Sequence, residues 1–347
     1  MAGNQNLHQS RAGKTDEFYT QLSTIEDELR HYRHYFKDKV ILCNADDPYE
    51  SNFFKYFAMN FNALGLKKLI ATCYTGSPVA GRQLSLFDVV SIREQVTEAR
   101  QPYKIEITEV TDENMDGAFD LADVEYLLKN KNNVLTLLNG DGDFRSAECM
   151  ELMQECDIIV TNPPFSLMKE YLPLLVNSGK QFLVLGNTNH AILNEIFHYF
   201  IGNQVWLGYN SGHFWFMVPD YYEVKETDFK IDEAGQKWRR MGNICWFTNL
   251  DIDKRHQPLD LYIRYTPEKY PKYDQYDAIN VNQTTNIPDD YCGIMGVPIT
   301  FLSKHSPEQF EIIGVDRYVA DNPKYGHRFT INGKETYARI LIRRNPK

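Results

Sequence analysis

Positive charge is what this chain is short of. Against 47 aspartates and glutamates it carries 37 lysines and arginines, a formal net charge of −10 over 347 residues. Taken alone, that balance argues against a nucleic-acid partner, because a basic excess is the usual footprint of one. Long apolar runs are missing too. No stretch approaches the roughly 18 residues that mark a membrane span, so no membrane partner is expected. The opening MAGNQNLHQSRAGK has no apolar h-region and does not read as a secretory signal. The six cysteines (Cys43, Cys73, Cys149, Cys156, Cys245 and Cys292) include no CxxC pair and no histidine at a recurring ligand spacing. That excludes a zinc ribbon and a disulfide framework, and no metal is expected. Cys43, Cys73 and Cys245 lie in strand-like apolar runs and read as small buried hydrophobes in a reducing cytoplasm. Internal repeats and low-complexity tracts are also absent.

What is present is ordinary globular composition, 43% hydrophobic and 24% charged, enough for a sizeable core. The length predicts two domains, or one large α/β domain with an appendage. Leu22, Ile25 and Leu29 recur at helical steps after a short basic arm that holds Arg11 and Lys14. Val40–Cys43 is a short apolar run typical of a buried parallel strand. A turn cluster, NADDPYESN, then leads into the helical FFKYFAMNFNAL, stopped at Gly65, and a second strand over Leu69–Cys73. This first βαβ unit is followed by a polar insertion over 75–102. Strand and helix patterns then alternate: IEITEV, LADVEYLLKN, VLTLLN, AECMELMQEC, DIIVT, KEYLPLLVNS, KQFLVLGN and AILNEIFHYFIGN. QVWLGY, HFWFMVP and NICWFTNLD read as further strands. The pattern predicts an α/β fold with a doubly wound, mainly parallel sheet. After about Asp251 the texture changes to a Pro-, Tyr-, Asp- and Asn-rich stretch. Short strands over GIMGVPITF, FEIIGV and ARILIRR follow. The predicted division is 1–250, with 1–36 as an N-terminal arm and covering segment, and 251–347 as a smaller C-terminal region.

The most informative segment is DIIVTNPPF, where a buried strand runs into Asn162-Pro163-Pro164-Phe165. In open α/β sheets, ligands bind beyond the carboxyl ends of the strands. The two prolines fix φ and remove two backbone donors, so the loop is stiff and rich in free carbonyls. Asn162 offers an amide, and Phe165 a flat apolar face for a planar ring. This set suits an exocyclic amine on a purine, whose lone pair is delocalised into the ring. Two acceptors, the Asn162 side-chain oxygen and the Pro163 carbonyl, bind both amine hydrogens and favour a localised lone pair. Attack on a methyl group in line with a sulfonium leaving group then needs positioning and charge stabilisation rather than a strong base.

DIIVTNPPF resembles the catalytic motif of amino-methyltransferases that use S-adenosylmethionine, and the wider chain resembles the EcoRI adenine methyltransferase family. The matching stretches are DEFYTQ (16–21), ADDPYESNFFKYFAMNF (45–61), LGLKKLIATCY (64–74), GDGDFRS (140–146), TNPPFSL (161–167), PKYDQYDAINVN (271–282) and GIMGVPITFLSKHSPEQFEII (293–313). The resemblance implies a Rossmann-like methyltransferase sheet over 1–250 with a target-recognition region over 251–347. It implies S-adenosylmethionine as cofactor, with S-adenosylhomocysteine as product and no metal. Asn162, Pro163, Pro164 and Phe165 then carry catalysis. Tyr19, Thr20 and Gln21 cover the methionine part of the cofactor. Asp46, Asp47, Pro48 and Ser51 face its amino-acid moiety, and Asp143 and Phe144 hold its adenine. Two departures stand out: the first turn has no glycine, and Cys73-Tyr74 replaces the acid that would bind the ribose.

The implied activity is sequence-specific transfer of a methyl group to N6 of adenine in double-stranded DNA, by a monomer in a bacterial or phage restriction-modification setting with a cognate restriction endonuclease. GAATTC is the first target to test. The adenine must be flipped out of the duplex, at a cost of a few kcal/mol. Phe165 is expected on one face of it and one of Phe214, Trp215 and Phe216 on the other. Lys14, Arg145, Phe216, Arg239 and Arg240 are the nominated DNA contacts. Further local positive charge lies at Lys237, at Lys254-Arg255-His256, at Lys324, His327 and Arg328, and at Arg343, Arg344 and Lys347. Tyr262, Tyr265, Tyr270, Tyr273 and Tyr276 either stack on DNA or pack as a loop. Two alternatives remain at this level: an RNA adenine or protein glutamine methyltransferase, and a DNA-binding protein with a decayed cofactor site.

Overall fold

A computed structural model describes residues 19–45, 48, 51–73, 102–111, 123, 126, 135–218 and 222–346. The insertion after Cys73 and the helix expected over 121–130 lie almost wholly outside the described residues. The chain divides into two compact units. The first comprises 1–186 and 212–244, and the second 187–211 and 245–347. The division is discontinuous, with segment 187–211 grouped with the C-terminal residues.

The first unit is built on parallel strands β2 (Val40–Cys43), β3 (Lys68–Thr72), β6 (Ile158–Thr161) and β7 (Gln181–Asn187). They run side by side in the order β7-β6-β2-β3, then continue antiparallel into β4 (Tyr103–Ile107) and β5 (Leu135–Leu137). Ile41, Leu42, Ile158 to Val160 and Phe182 to Leu185 are all fully buried, the signature of strands covered on both faces. The helices alternate with them: α1 (Leu22–Leu29), α2 (Arg33–Phe36), α3 (Asn52–Met59), α4 (Phe61–Leu64), α5 (Ala147–Glu155) and α6 (Met168–Asn177). The expected stop at Gly65 is there, in the left-handed conformation at φ 64° that glycine adopts without a Cβ penalty. The long helix predicted before it breaks at Asn60 into α3 and α4.

The sheet is mixed rather than mainly parallel. Edge strand β1 (Tyr19–Thr20) pairs antiparallel with β8 (Trp206–Met217), and β9 (Phe229–Ile231) pairs antiparallel with β10 (Lys237–Thr248). Only residues 232–236 join β9 to β10, and so short a link permits a hairpin but no parallel crossover. QVWLGY and HFWFMVP, read as two strands, form the single strand β8. The polar residues before NICWFTNLD belong to β10.

In the second unit, helices α7 (Thr188–Ala191) and α8 (Asn194–Ile201) precede β11 (Ala278–Asn280), β12 (Ile294–Pro298), β13 (Phe310–Val315), β14 (Thr330–Ile331), β15 (Lys334–Glu335) and β16 (Arg339–Arg344). A four-stranded sheet runs β11-β12-β16-β13, and β14 and β15 form a small hairpin. Tyr273, Ala278, Val319, Phe329 and Leu341 make a core cluster. The tyrosine-rich stretch is mostly structural. Tyr270 donates to the Asn286 carbonyl, Tyr273 donates to Asn280 Oδ1, Tyr276 stacks on Phe329 and Tyr265 stacks on Tyr270. Tyr262 alone of the five is well exposed, at 81%. Every cysteine is a free thiol, and all but Cys292 are buried. Burial pushes the Cys156 thiol up to about 12. Among the described residues, no helix is long and apolar enough to cross a membrane.

Two tests follow from the second unit. A Cβ on Gly296 would collide with the buried Tyr273 phenol, meeting its Cζ at 2.8 Å. Gly296→Ala is therefore expected to cost about 1–3 kcal/mol in urea unfolding, and adding Tyr273→Phe to recover part of it. His256 is held between Glu308 (Nδ1, 2.7 Å) and Asp251 (Nε2, 2.8 Å), and these partners raise its pKa above the ordinary 6.5. A raised cation stabilises below the ordinary value and loses that contribution as pH rises through the folded-state value. The melting-temperature advantage of the wild type over His256→Gln should be full below the ordinary 6.5 and shrink as the pH rises above it.

Candidate active site at the strand ends

Strands β2 and β6 are neighbours, with Ile41 opposite Ile158 and Leu42 opposite Ile159. That register brings Asn44 and Asn162, each one residue past its strand, to the same edge of the sheet. Both are buried, at 6% and 8% exposure. After Asn162 the chain passes through Pro163 and Pro164 into a single 3-10 turn, Phe165–Leu167, closed by the Leu167 amide on the Pro164 carbonyl at 2.9 Å. Phe165 is buried and opens the turn that leads into helix α6.

Helix α6 places Met168, Tyr171, Leu172 and Leu175 on its buried stripe, the spacing of a core-facing helix. Tyr171 leaves that stripe with a polar tip. Its hydroxyl donates to Asn44 Oδ1 at 2.5 Å. Its ring meets Phe144 edge-on, with centroids 4.9 Å apart at 90°. The preceding residue, Glu170, accepts from Arg145 at 2.8 Å.

The loop holding Asp143 and Phe144 ties itself down. Gly142 takes φ 75°, and Asp141 accepts from the Asp143 amide at 3.0 Å. Glu148 accepts from the Asn139 amide, and Ser146 caps α5 by accepting from the Cys149 amide. Both Asp143 carboxylate oxygens accept from the Arg145 guanidinium. That hydrogen bond holds the Asp143 carboxyl below its ordinary range and raises the Arg145 pKa still further. Arg145 is thus tied to two carboxylates, and a phosphate would have to compete with them.

The N-terminal segment is joined to the first turn. Thr20 lies opposite Phe216 in the β1–β8 pair, and the Thr20 carbonyl accepts from Asn52 Nδ2 at 2.7 Å. Gln21 donates to the Trp215 carbonyl, and Ser51 caps α3 by accepting from the Phe54 amide. Pro48 is buried beside this turn. Asp46, Asp47 and Lys14 lie outside the described residues. Cys73, where an acid was missed, is buried and accepts from the Tyr103 amide at 3.3 Å.

Comparison with known proteins places the chain in a family. The family model described as adenine-specific methyltransferase EcoRI matches residues 6–345. The type II methyltransferase M.EcoRI of Escherichia coli is 44% identical over 99% of this chain and 97% of its own length. The chain belongs to the EcoRI adenine-specific methyltransferase family. The type II methyltransferases M.MpnI of Mycoplasma pneumoniae and M.MgeORF184P of Mycoplasma genitalium are 34% and 32% identical, each over 97% of this chain and nearly all of their own length. No solved structure matches the chain significantly. This is a type II adenine-specific DNA methyltransferase.

Within this EcoRI-type methyltransferase, one expectation needs correction. Phe216 is fully buried opposite Thr20, so it presents no face for a base to stack on. Phe214 and Trp215, its neighbours on β8, are partly exposed instead. The Lys230 ammonium lies 4.7 Å from the Trp215 ring centroid and 5.6 Å from that of Trp238. Arg239 donates to the Thr227 and Asp228 carbonyls, and Arg240 reaches the Asp228 carboxylate, so both are held within their own hairpin. Other basic clusters are similarly committed. The Arg255 guanidinium lies 3.9 Å from the Trp206 ring centroid, Lys254 donates to the Tyr209 carbonyl, and Arg343 pairs with Glu311.

Asn44, Asn52, Tyr171 and Lys230 were not singled out from the sequence. The available signals were a polar residue directly after VILC, an asparagine beside a helix cap, a tyrosine in an otherwise aliphatic stripe, and the cross-strand pairing of Lys230 with Trp238. Asn162→Ala is expected to lower kcat about a hundredfold or more while changing DNA affinity less than about threefold. Phe165→Leu keeps apolar bulk but removes the flat face, and should lower kcat in the same direction. Single-turnover methylation alongside equilibrium DNA binding checks both.

Proposed function

We propose that this methyltransferase takes its methyl group from S-adenosylmethionine and places it on N6 of an adenine flipped out of double-stranded DNA. The observation that carries the reading is the shared edge of β2 and β6, where Asn162-Pro163-Pro164-Phe165 stands beside Asn44. The Asn44 amide nitrogen is buried and without a partner among the described residues, which fits a site completed by a polar ligand. Tyr19, Thr20, Gln21, Asp46, Asp47, Pro48 and Ser51 would hold the amino-acid end of that cofactor, and Asp143 with Phe144 its adenine. When bound, the cofactor supplies a methyl group activated on a sulfonium.

The chain's own residues do the rest by positioning. The Asn162 side-chain oxygen and the Pro163 carbonyl accept the two hydrogens of the target amine. That orients its lone pair and stabilises the charge that develops on nitrogen, whose surplus proton then leaves to solvent. Proline rings at 163 and 164 restrict the backbone that presents those acceptors. Phe165 bounds the adenine on one face, with Phe214 or Trp215 bounding the other. Residues of 1–250 carry the methyl transfer and those of 251–347 contribute target recognition. Lys14, Arg239 and Arg240, with Arg145 once released from its carboxylates, meet phosphate. The chain acts as a monomer in the cytoplasm and protects DNA from a cognate restriction endonuclease.

Incubation with tritiated S-adenosylmethionine and a duplex carrying GAATTC tests the reading, with a scrambled duplex alongside. Labelled N6-methyladenine is expected. Its absence from both duplexes while the cofactor binds would overturn the reading. Label in both would retain the chemistry and reject the sequence. Binding to DNA should weaken steeply with salt, as it does for any protein that displaces counterions from phosphates.

A further inference from the structure

We propose that Tyr171 is a positioning residue that sets the affinity for the methyl donor. It joins the end of strand β2 to the loop over 140–146. The inference rests on the reading of Asp143 and Phe144 as cofactor-binding residues, and goes beyond it by assigning a role to a residue of helix α6.

Tyr171 is 1% exposed. A phenol hydroxyl at that depth needs a partner, and it has one in Asn44 Oδ1 at 2.5 Å. An asparagine amide has an acceptor end and a donor end. The bond from Tyr171 occupies the acceptor, which leaves the Asn44 NH2 turned away from the phenol. That NH2 group is buried and has no partner among the described residues. A buried donor left open beside a binding loop awaits an acceptor brought by a ligand. S-adenosylmethionine carries such acceptors in its carboxylate and its ribose oxygens.

The same side chain acts on the other side of the site. Its ring and that of Phe144 pack edge to face at 90°, the arrangement in which a positive ring edge meets a negative ring face. The Arg145 guanidinium lies 5.0 Å from the Phe144 centroid, and reaches Glu170, the neighbour of Tyr171 on α6. One phenol therefore orients the Asn44 amide and the Phe144 ring together. Both are ground-state contacts to the cofactor, so Tyr171 controls its binding more than the rate of transfer.

Calorimetric titration of full-length protein with S-adenosylmethionine, without DNA, reads this directly. Tyr171→Phe keeps the ring and removes the hydroxyl. It should raise the cofactor Kd about three- to tenfold, the worth of one buried hydrogen bond. Its kcat at saturating cofactor and its DNA affinity should stay within about twofold of wild type. Tyr171→Leu also loses the edge contact and should weaken binding about three- to tenfold more. Asn44→Ala reaches the same bond from the other side, so its effect and that of Tyr171→Phe should combine to less than their product. Wild-type cofactor affinity in Tyr171→Phe would overturn the assignment, as would a loss confined to melting temperature. A wild-type chain that bound no S-adenosylmethionine would instead overturn the cofactor reading on which it rests.

Discussion

The register between β2 and β6 is the constraint on which the site depends. Two parallel strands, buried on both faces, end one residue short of an asparagine each. Their apolar runs cannot slip by one residue without turning the pattern against the neighbouring helices. The Asn44 and Asn162 backbones are thus fixed by residues with no chemical role, such as Ile41, Leu42, Ile158 and Ile159. The loop, the 3-10 turn and helix α6 then inherit their positions. On the proposed reading, placement at this edge rather than a strong acid or base is what the sheet supplies.

Much of this was legible in the sequence because it is local. Val40–Cys43 and Ile158–Thr161 announce themselves as buried strands by composition alone. Asn162-Pro163-Pro164-Phe165 reads as a stiff acceptor-rich turn from its residue types. Gly65 marks its helix end through its conformational freedom. What was not legible depends on partners far away in the chain. Tyr171 looks like one more member of a hydrophobic stripe until Asn44, 127 positions earlier, is beside it. Phe216 looks no different from Phe214 or Trp215 until the folded chain shows it fully buried opposite Thr20. The mixed sheet was missed for a similar reason, since alternation of strand and helix suggests crossovers and a hairpin of polar residues after 220 does not.

The charge balance belongs to the same lesson. Net charge describes long-range attraction averaged over a molecule. Local pairing decides which cations are available. Arg145, Arg239, Arg240, Arg255 and Arg343 all have acceptors, rings or carboxylates of their own chain nearby. Four of these five arginines are paired with a carboxylate, with which any phosphate would have to compete.

The chain crosses between its two units at 186/187, 211/212 and 244/245. No single cut separates them. Exchanging the C-terminal residues alone between relatives would leave segment 187–211 matched to the wrong companion. Here a viable exchange requires two coordinated crossovers, one on each side of 187–211, in addition to the one near residue 245. A deletion or graft that keeps both units whole therefore has to respect all three crossings.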